Sequence, residues 1–398
     1  MTHAPIGLYV HVPFCTVKCS YCDFNSYAGI EDLQDAWLQA ALTELALWAP
    51  RVVGRQFSTV FIGGGTPSLL SGDSIRRLLN EVRTRLSLAP DAEITLEANP
   101  ESVHADRLET YRDSGVNRIS MGVQSLDSAE LEFLDRIHGA ERAEQAFRAI
   151  REAGFDNVNL DLIYGLPGQT LETWKWTVER VLSWDGGPDH LSCYALTVEE
   201  GTPLAARVAS GSVIEADPEH VAEIADWTAE RLARAGFEQY ETSNYARGGL
   251  QCRHNLIYWR NQEYVAIGPG AHGYVDGVRY QVVRSPRLYI DRLVTPSPRA
   301  PRGEMPKAEG GLPSPAVVEA EQVGERDHLI DTLTSGLRLM EGIDESRLPD
   351  LYQQLRPVLD WAVERGLADR RDGRLRLTRR GHAVANEVFV RLLDPSLV

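Results

Sequence analysis

Leu8-Tyr9-Val10-His11-Val12-Pro13-Phe14-Cys15-Thr16-Val17-Lys18-Cys19-Ser20-Tyr21-Cys22-Asp23-Phe24 places the chain's most distinctive chemistry close to its start. A β-like run, Leu8–Val12, stops at Pro13, and three of the five cysteines follow within eight residues at C-x3-C-x2-C spacing. Thiols crowded on a loop just past a strand point to a metal ion or an iron–sulfur cluster. Structural zinc takes four ligands, usually from two paired cysteine motifs. Here Cys193 and Cys252 are remote, so a fourth zinc ligand would have to be His11 or Asp23. A [4Fe–4S] cube on three thiolates instead leaves one iron open to a substrate or cofactor. Three packed structural cysteines are the plain alternative, which so tight a loop spacing disfavours.

Working outward, five further short apolar runs recur: Thr59–Ile62, Glu93–Glu97, Arg118–Gly122, Asn157–Asp161 and His190–Ala195. Helix-like segments with a 3.6-residue period separate them, at about 38–45, 74–86, 105–114, 141–153 and 171–182, with another at 218–235. Several stop at a glycine just past the last turn: Gly115, Gly154 and Gly236. Alternating β and α elements predict a parallel sheet, as an open partial barrel or a doubly wound sheet. Either places a site at the carboxyl ends of the strands, where the cysteines fall.

From Gln239 to Tyr289 the alternation fades into aromatic, Gly-rich sequence that reads as an extension of the first domain, taken as residues 1–295. Residues 296–324 are Pro- and Gly-rich and read as a linker or mobile loop. The last block, 325–398, reads as a winged-helix-like α+β domain. Helices are expected at Arg326–Met340, Ser346–Leu355 and Val358–Arg365, then a hairpin turning at Asp372-Gly373, then a final helix after Gly381.

The 398 residues are 43% hydrophobic and 25% charged, as in ordinary globular proteins. No secretory leader pattern is visible, and no apolar run approaches ~18 residues. With an odd cysteine count and no disulfide framework, a cytoplasmic protein is expected. A net charge of −16 argues against nucleic acid or an anionic membrane as the main partner. Arg370, Arg371, Arg374, Arg376, Arg379 and Arg380 nonetheless form a basic patch around the hairpin, which leaves DNA binding as a minority reading.

Cys15-x3-Cys19-x2-Cys22, with Tyr21 before the third cysteine, resembles the signature of the radical S-adenosylmethionine (SAM) superfamily. The resemblance implies a partial (β/α)6 TIM-like barrel, a [4Fe–4S] cluster, and SAM chelated to its open iron as the source of a 5′-deoxyadenosyl radical. It extends to Gly63-Gly64-Gly65-Thr66-Pro67, Leu96-Glu97-Ala98-Asn99-Pro100, Ser120-Met121-Gly122-Val123-Gln124-Ser125, Leu134-Asp135-Arg136-Ile137-His138 and Asp161-Leu162-Ile163-Tyr164-Gly165-Leu166-Pro167. These match the oxygen-independent coproporphyrinogen III oxidase subgroup over roughly 6–290 and 325–395. By that resemblance Gly64, Gly65 and Thr66 bind the methionine amino group and Glu97 the ribose. Tyr9, Gln124, Arg136, Asp161 and Ala195 complete the nucleoside pocket.

Two features depart from the subgroup's decarboxylating enzyme. It carries a fourth cysteine where Phe24 stands, and a long extension before the first cysteine, where here fourteen residues precede Cys15. The segment His254-Asn255-Leu256-Ile257-Tyr258-Trp259 instead resembles the subgroup's haem chaperones, which bind haem and pass it to acceptor proteins. The resemblance makes His254 the leading haem-ligand candidate; a hydrogen-bonded scaffold histidine is the other reading. Cys193 is expected as a packed core thiol and Cys252 as a buried one, with haem ligation the other reading for Cys252. Implied partners are haem, haem-accepting proteins, an electron donor such as flavodoxin or ferredoxin, and peripheral contact with membrane-bound acceptors. The enzyme alternatives are the coproporphyrinogen oxidase itself or another porphyrin-directed radical SAM reaction.

Overall fold

The computed structural model describes residues 5–294 and 311–394. Its centre is six strands: β1 (Ile6–Val12), β2 (Gln56–Gly64), β3 (Ser87–Ala98), β4 (Arg118–Gln124), β5 (Val158–Tyr164) and β6 (His190–Ala195). They lie side by side in chain order, each parallel to the next. Most of their residues are buried on both faces, which is why they read as near-continuous apolar runs.

Helices make the crossovers: α1 (Gln34–Trp48), α2 (Gly72–Arg85), α3 (Ala105–Asp113), the short α4 (Ser128–Phe133), α5 (Ala140–Glu152) and α6 (Leu171–Leu182). After β6 come α7 (Pro203–Ala209) and α8 (Pro218–Arg234). Local chemistry sets their starts. Ser71 Oγ accepts from Ser74 N at α2, Thr170 and Thr173 form a capping box at α6, and Asp217 caps α8 ahead of Pro218.

Beyond β6 the sheet gains two antiparallel strands, β7 (Glu238–Gln239) and β8 (Asn244–Ala246). A single helix, α9 (Arg253–Trp259), then leads back to β9 (Tyr264–Ile267), which pairs in parallel with β1. β10 (His272–Val275) and β11 (Val278–Val282) extend this side, and α10 (Pro286–Val294) packs beside α1. The edge strand is β12 (Val317–Gln322), antiparallel to β11. The order is β12-β11-β10-β9-β1-β2-β3-β4-β5-β6-β8-β7, and among the described residues the two ends do not pair. The fold is therefore an open, partial (β/α)6 barrel.

The stretch expected as a linker is divided by this result. Residues 296–310 lie outside the described residues, whereas 317–322 form β12 rather than loop. Backbone pairing to β11 decides that strand; its few apolar residues give no readable period.

The terminal block comprises α11 (Glu325–Gly336), β13 (Ile343–Asp344), α12 (Arg356–Glu364), β14 (Ala368–Arg371), β15 (Arg374–Leu377), α13 (Arg379–Ala383) and α14 (Ala385–Leu393). Leu329, Leu333, Val358, Leu359, Leu375 and Leu392 form a core of their own. Asp372 and Gly373 both take positive φ, as a tight hairpin turn requires. The helix expected over Ser346–Leu355 is instead two 3-10 turns, Glu345–Arg347 and Asp350–Gln354, because Pro349 interrupts it. Contacts with the barrel include Tyr274 OH to His328 Nδ1 at 2.9 Å and Asn261 Nδ2 to Thr332 Oγ1 at 3.0 Å.

The hairpin arginines are largely neutralised. Arg370 pairs with Asp360 at 2.7 Å, Arg371 and Arg376 with Asp369, Arg374 with Glu341, and Arg379 with Asp226 at 2.7 Å. Among the described residues no helix is long and apolar enough to cross a membrane.

Glu44 on α1 is a buried carboxylate that joins separate parts of the chain. It accepts from Gly268 N at 2.9 Å, Tyr289 OH at 2.7 Å and Ser314 Oγ at 2.6 Å. Burial pushes its pKa from 4.5 up to about 7, against the pull of those three donors. The folded state therefore holds this proton more tightly than the unfolded chain does. Its contribution to stability should decline as pH rises from about 4.5 to about 7, by on the order of 3 kcal/mol. Denaturant titrations across that window should show the decline in the parent chain and a flatter profile in Glu44→Gln.

Candidate functional site

A cavity of about 940 Å³ opens at the carboxyl ends of the parallel strands. The residues that the resemblance assigns to cluster, SAM and haem line it: Cys15, Cys19, Cys22, Tyr9, Gly64, Gly65, Thr66, Glu97, Gln124, Arg136, Asp161, Ala195 and His254. The strand ends bring them together, although up to 239 positions of sequence separate Cys15 from His254.

The cysteine loop is closed at its base. Cys15 N donates to Tyr27 O at 3.0 Å and Tyr27 N to Pro13 O at 2.8 Å, while the buried Phe14 ring sits edge-on to Trp37. A chain of hydrogen bonds then runs through neighbouring strand ends. Thr66 Oγ1 donates to Cys15 Sγ at 3.6 Å, Asn99 Nδ2 to Thr66 Oγ1 at 3.0 Å, and Arg136 Nη2 to Asn99 Oδ1 at 2.8 Å. Arg136 Nη1 closes it by donating to Cys19 Sγ at 3.8 Å. Burial raises the Cys19 and Cys22 thiol pKa values, and the Arg136 guanidinium opposes this at Cys19.

All five cysteines are free thiols, and Cys193 and Cys252 are buried, Cys252 lining the same cavity. Of the two candidate fourth ligands for zinc, Asp23 is exposed at the cavity wall and His11 is committed elsewhere. His11 is 5% exposed, with Nε2 donating to Asn25 O at 2.9 Å and Nδ1 accepting from Tyr9 OH at 2.9 Å. Among the described residues no three His, Cys, Asp or Glu side chains gather around one ion position.

The Gly-rich turn lies directly against the cysteine loop. Gly65 N donates to Val12 O and Thr66 N to Phe14 O, each at 2.7 Å. Gly64 has φ +113°, and a Cβ there would lie 2.5 Å from the His11 ring, so both conformation and space require glycine. Gly64 N donates to Glu97 Oε2 at 2.9 Å. Burial pushes Glu97 up to about 7, with Gly64 N–H opposing and Asp161 reinforcing. Asp161 is raised as well, again by burial first, although Asn159 Nδ2 donates to it at 2.8 Å. Two carboxyls in one enclosed space offer acceptors to hydroxyl- or amine-bearing ligands. Gln124 ends β4 at φ +67°, a strained conformation for a residue with a side chain.

His254 does not stand open. Its ring is 1% exposed, with Nδ1 2.7 Å from Thr59 Oγ1 and Nε2 2.8 Å from Tyr258 OH. Phe61 stacks on it at 5.1 Å and Tyr9 at 6.4 Å, and burial lowers its pKa to about 3. Glu93 accepts from Arg253 N at 2.9 Å and His254 N at 3.0 Å, fixing the start of α9. Asn255 Nδ2 reaches Glu241 at 3.1 Å, and Arg338 of the terminal domain lies over Trp259. In this geometry both ring nitrogens are engaged in hydrogen bonds within the protein. His254→Ala should cost about 2–4 kcal/mol, since it opens a cavity and strands the buried Thr59 hydroxyl and the half-buried Tyr258 hydroxyl. Denaturant unfolding of the parent and variant would measure it.

Sequence reasoning passed over several cavity residues. Asn99 stands inside a quoted motif, and Arg118 opens a quoted run, yet neither had been given a role. Arg118 is 2% exposed, lines the cavity, and its side chain has no hydrogen bond or ion pair among the described residues. Tyr258, Tyr264, His272 and Arg284 also line the cavity, and no pattern in the sequence marked His272 or Arg284.

Comparison with known proteins agrees with this architecture. The radical SAM superfamily pattern matches residues 9–181. The protein named heme chaperone HemW from Mycobacterium tuberculosis (strain ATCC 25618 / H37Rv) is 39% identical over 99% of this chain and 96% of its own length. Heme chaperone HemW of Escherichia coli (strain K12) is 44% identical over 72% of this chain and 76% of its own length. The solved structure of Escherichia coli coproporphyrinogen III oxidase (HemN) superposes with a TM-score of 0.79, at 23% identity, over 98% of this chain and 91% of that one, and it shares the fold. Strand order, cysteine loop and full-length similarity converge: the chain belongs to the radical SAM superfamily and, within it, to the family of proteins named heme chaperone HemW.

Proposed function

We propose that this protein is a haem chaperone that carries a SAM-capped [4Fe–4S] cluster, binds haem at the cavity and hands it to acceptor proteins. Phe24 is the observation that carries the choice over the oxidase. It is 60% exposed at the cavity wall, two residues past Cys22, so an apolar ring occupies the place where the resembling oxidase carries a further thiol. Cys15, Cys19 and Cys22 would hold the cluster, because the triplet offers three thiols and the nearby His11 has no free nitrogen. When bound, such a cluster supplies an open iron for the methionine end of SAM.

The chain's own residues account for the rest of the pocket. Gly64, Gly65 and Thr66 present backbone close to the cysteines, and Glu97 and Asp161 offer acceptors for hydroxyl groups. Tyr9, Gln124, Arg136 and Ala195 complete the wall. An electron donor such as flavodoxin or ferredoxin, acceptor proteins and peripheral contact with membrane-bound acceptors follow from the same reading. The test is a paired assay on anaerobically reconstituted protein. Stoichiometric haemin binding with no decarboxylation of coproporphyrinogen III is expected; SAM-dependent decarboxylation would overturn the chaperone reading.

A further inference from the structure

Three histidines line the cavity, and they are not equivalent. His11 and His254 are buried, and each has both ring nitrogens hydrogen-bonded. His272 is exposed, and among the described residues its ring has no hydrogen-bond or ion-pair partner. It is nonetheless firmly placed. It begins β10, paired with Gln281 of β11, which is in turn paired with Glu319 of β12. The turn before it packs Gly270, at φ +82°, against Asn25, and the next residue, Gly273, faces the Tyr280 ring with no room for a Cβ. Burial and the nearby Arg284 lower its pKa, with Glu319 opposing.

The surroundings suit a flat apolar dianion. Arg284 is exposed, lines the same cavity and makes no ion pair among the described residues; its Nε reaches Asn25 Oδ1 at 3.4 Å. Phe24 precedes Asn25, and Phe24, Val17 and Tyr194 line the cavity with 60%, 42% and 42% of their surfaces exposed. Phe24 is next to Asn25, which Arg284 contacts, so an uncovered apolar ring, a free cation and a free imidazole share one cavity.

We propose that His272 is the axial ligand of the haem iron, with Arg284 pairing a haem propionate and Phe24 lying against the macrocycle. Iron coordination adds one Fe–N bond and changes no oxidation state. This rests on the haem-chaperone reading and replaces His254 as the candidate ligand.

The test is haemin titration of the full-length, cluster-reconstituted protein, followed by Soret absorption and electron paramagnetic resonance. His272→Gly should bind roughly tenfold or more weakly, lose the imidazole-ligated spectrum, and regain it on adding free imidazole. Arg284→Gln should weaken binding several-fold without moving the Soret band. Parent-like affinity and spectrum in His272→Gly would overturn this assignment while leaving the chaperone reading intact. A loss that imidazole does not restore would also overturn it. Failure of the parent protein to bind haemin would overturn both.

Discussion

Replacing any one of Cys15, Cys19 or Cys22 by Ala should reduce the iron content of reconstituted protein from about four per chain to near background, with loss of the brown colour. Each thiol has a separate position in the cavity wall, and the wall has little to substitute. His11 is committed to Tyr9 and Asn25, Cys193 is buried, and the buried Cys252 has its thiol on Glu93 at 3.7 Å. The fold should survive, because the loop is closed by the Phe14–Tyr27 pairing rather than by the thiols. Iron and sulfide analysis beside circular dichroism would check both parts. Stoichiometric zinc in a colourless parent protein would instead mean that the triplet is a zinc site.

Gly65→Ala should be nearly as damaging, for a steric reason. A Cβ there would lie 2.5 Å from Phe14 O, 2.9 Å from Val12 O and 3.1 Å from Cys15 Sγ. Two of these are backbone atoms, which cannot swing aside as a side-chain tip can. Relief requires the β1 end and the Gly-rich turn to separate, at about 1–3 kcal/mol. That movement carries Cys15 with it. Lower stability together with at least a halved iron content is expected, measured by thermal melting and iron analysis. Normal iron loading in this variant would show that the contact between turn and cysteine loop is dispensable.

The parallel barrel was legible because its strands are buried on both faces, so each stood out as an apolar run between glycines and helical periods. The pocket was legible for the same reason: strand carboxyl ends converge, so residues ending successive runs meet. Elements set by pairing rather than pattern were not visible. Val317–Gln322 became a strand only because β11 lies beside it, and Pro349 broke an expected helix that its neighbours' periodicity had suggested. Side-chain availability was hidden too. The sequence places His254 among aromatics, but only the fold shows Thr59, 195 positions earlier, occupying its Nδ1. His272, in a Gly-rich stretch without period, carries no local mark of being unengaged.

The edge strand bears on how the chain can be divided for experiment. β12 ends at Gln322 and α11 begins at Glu325, so the terminal domain is tethered to the barrel's sheet by two residues. A barrel fragment cut near residue 295 would lose Val317–Gln322 and Ser314, leaving β11 as an unprotected sheet margin and Glu44 short of one donor. Fragments designed to study the barrel alone should therefore run through Val323. Shorter ones are expected to self-associate through the bared edge, a tendency that light scattering would reveal.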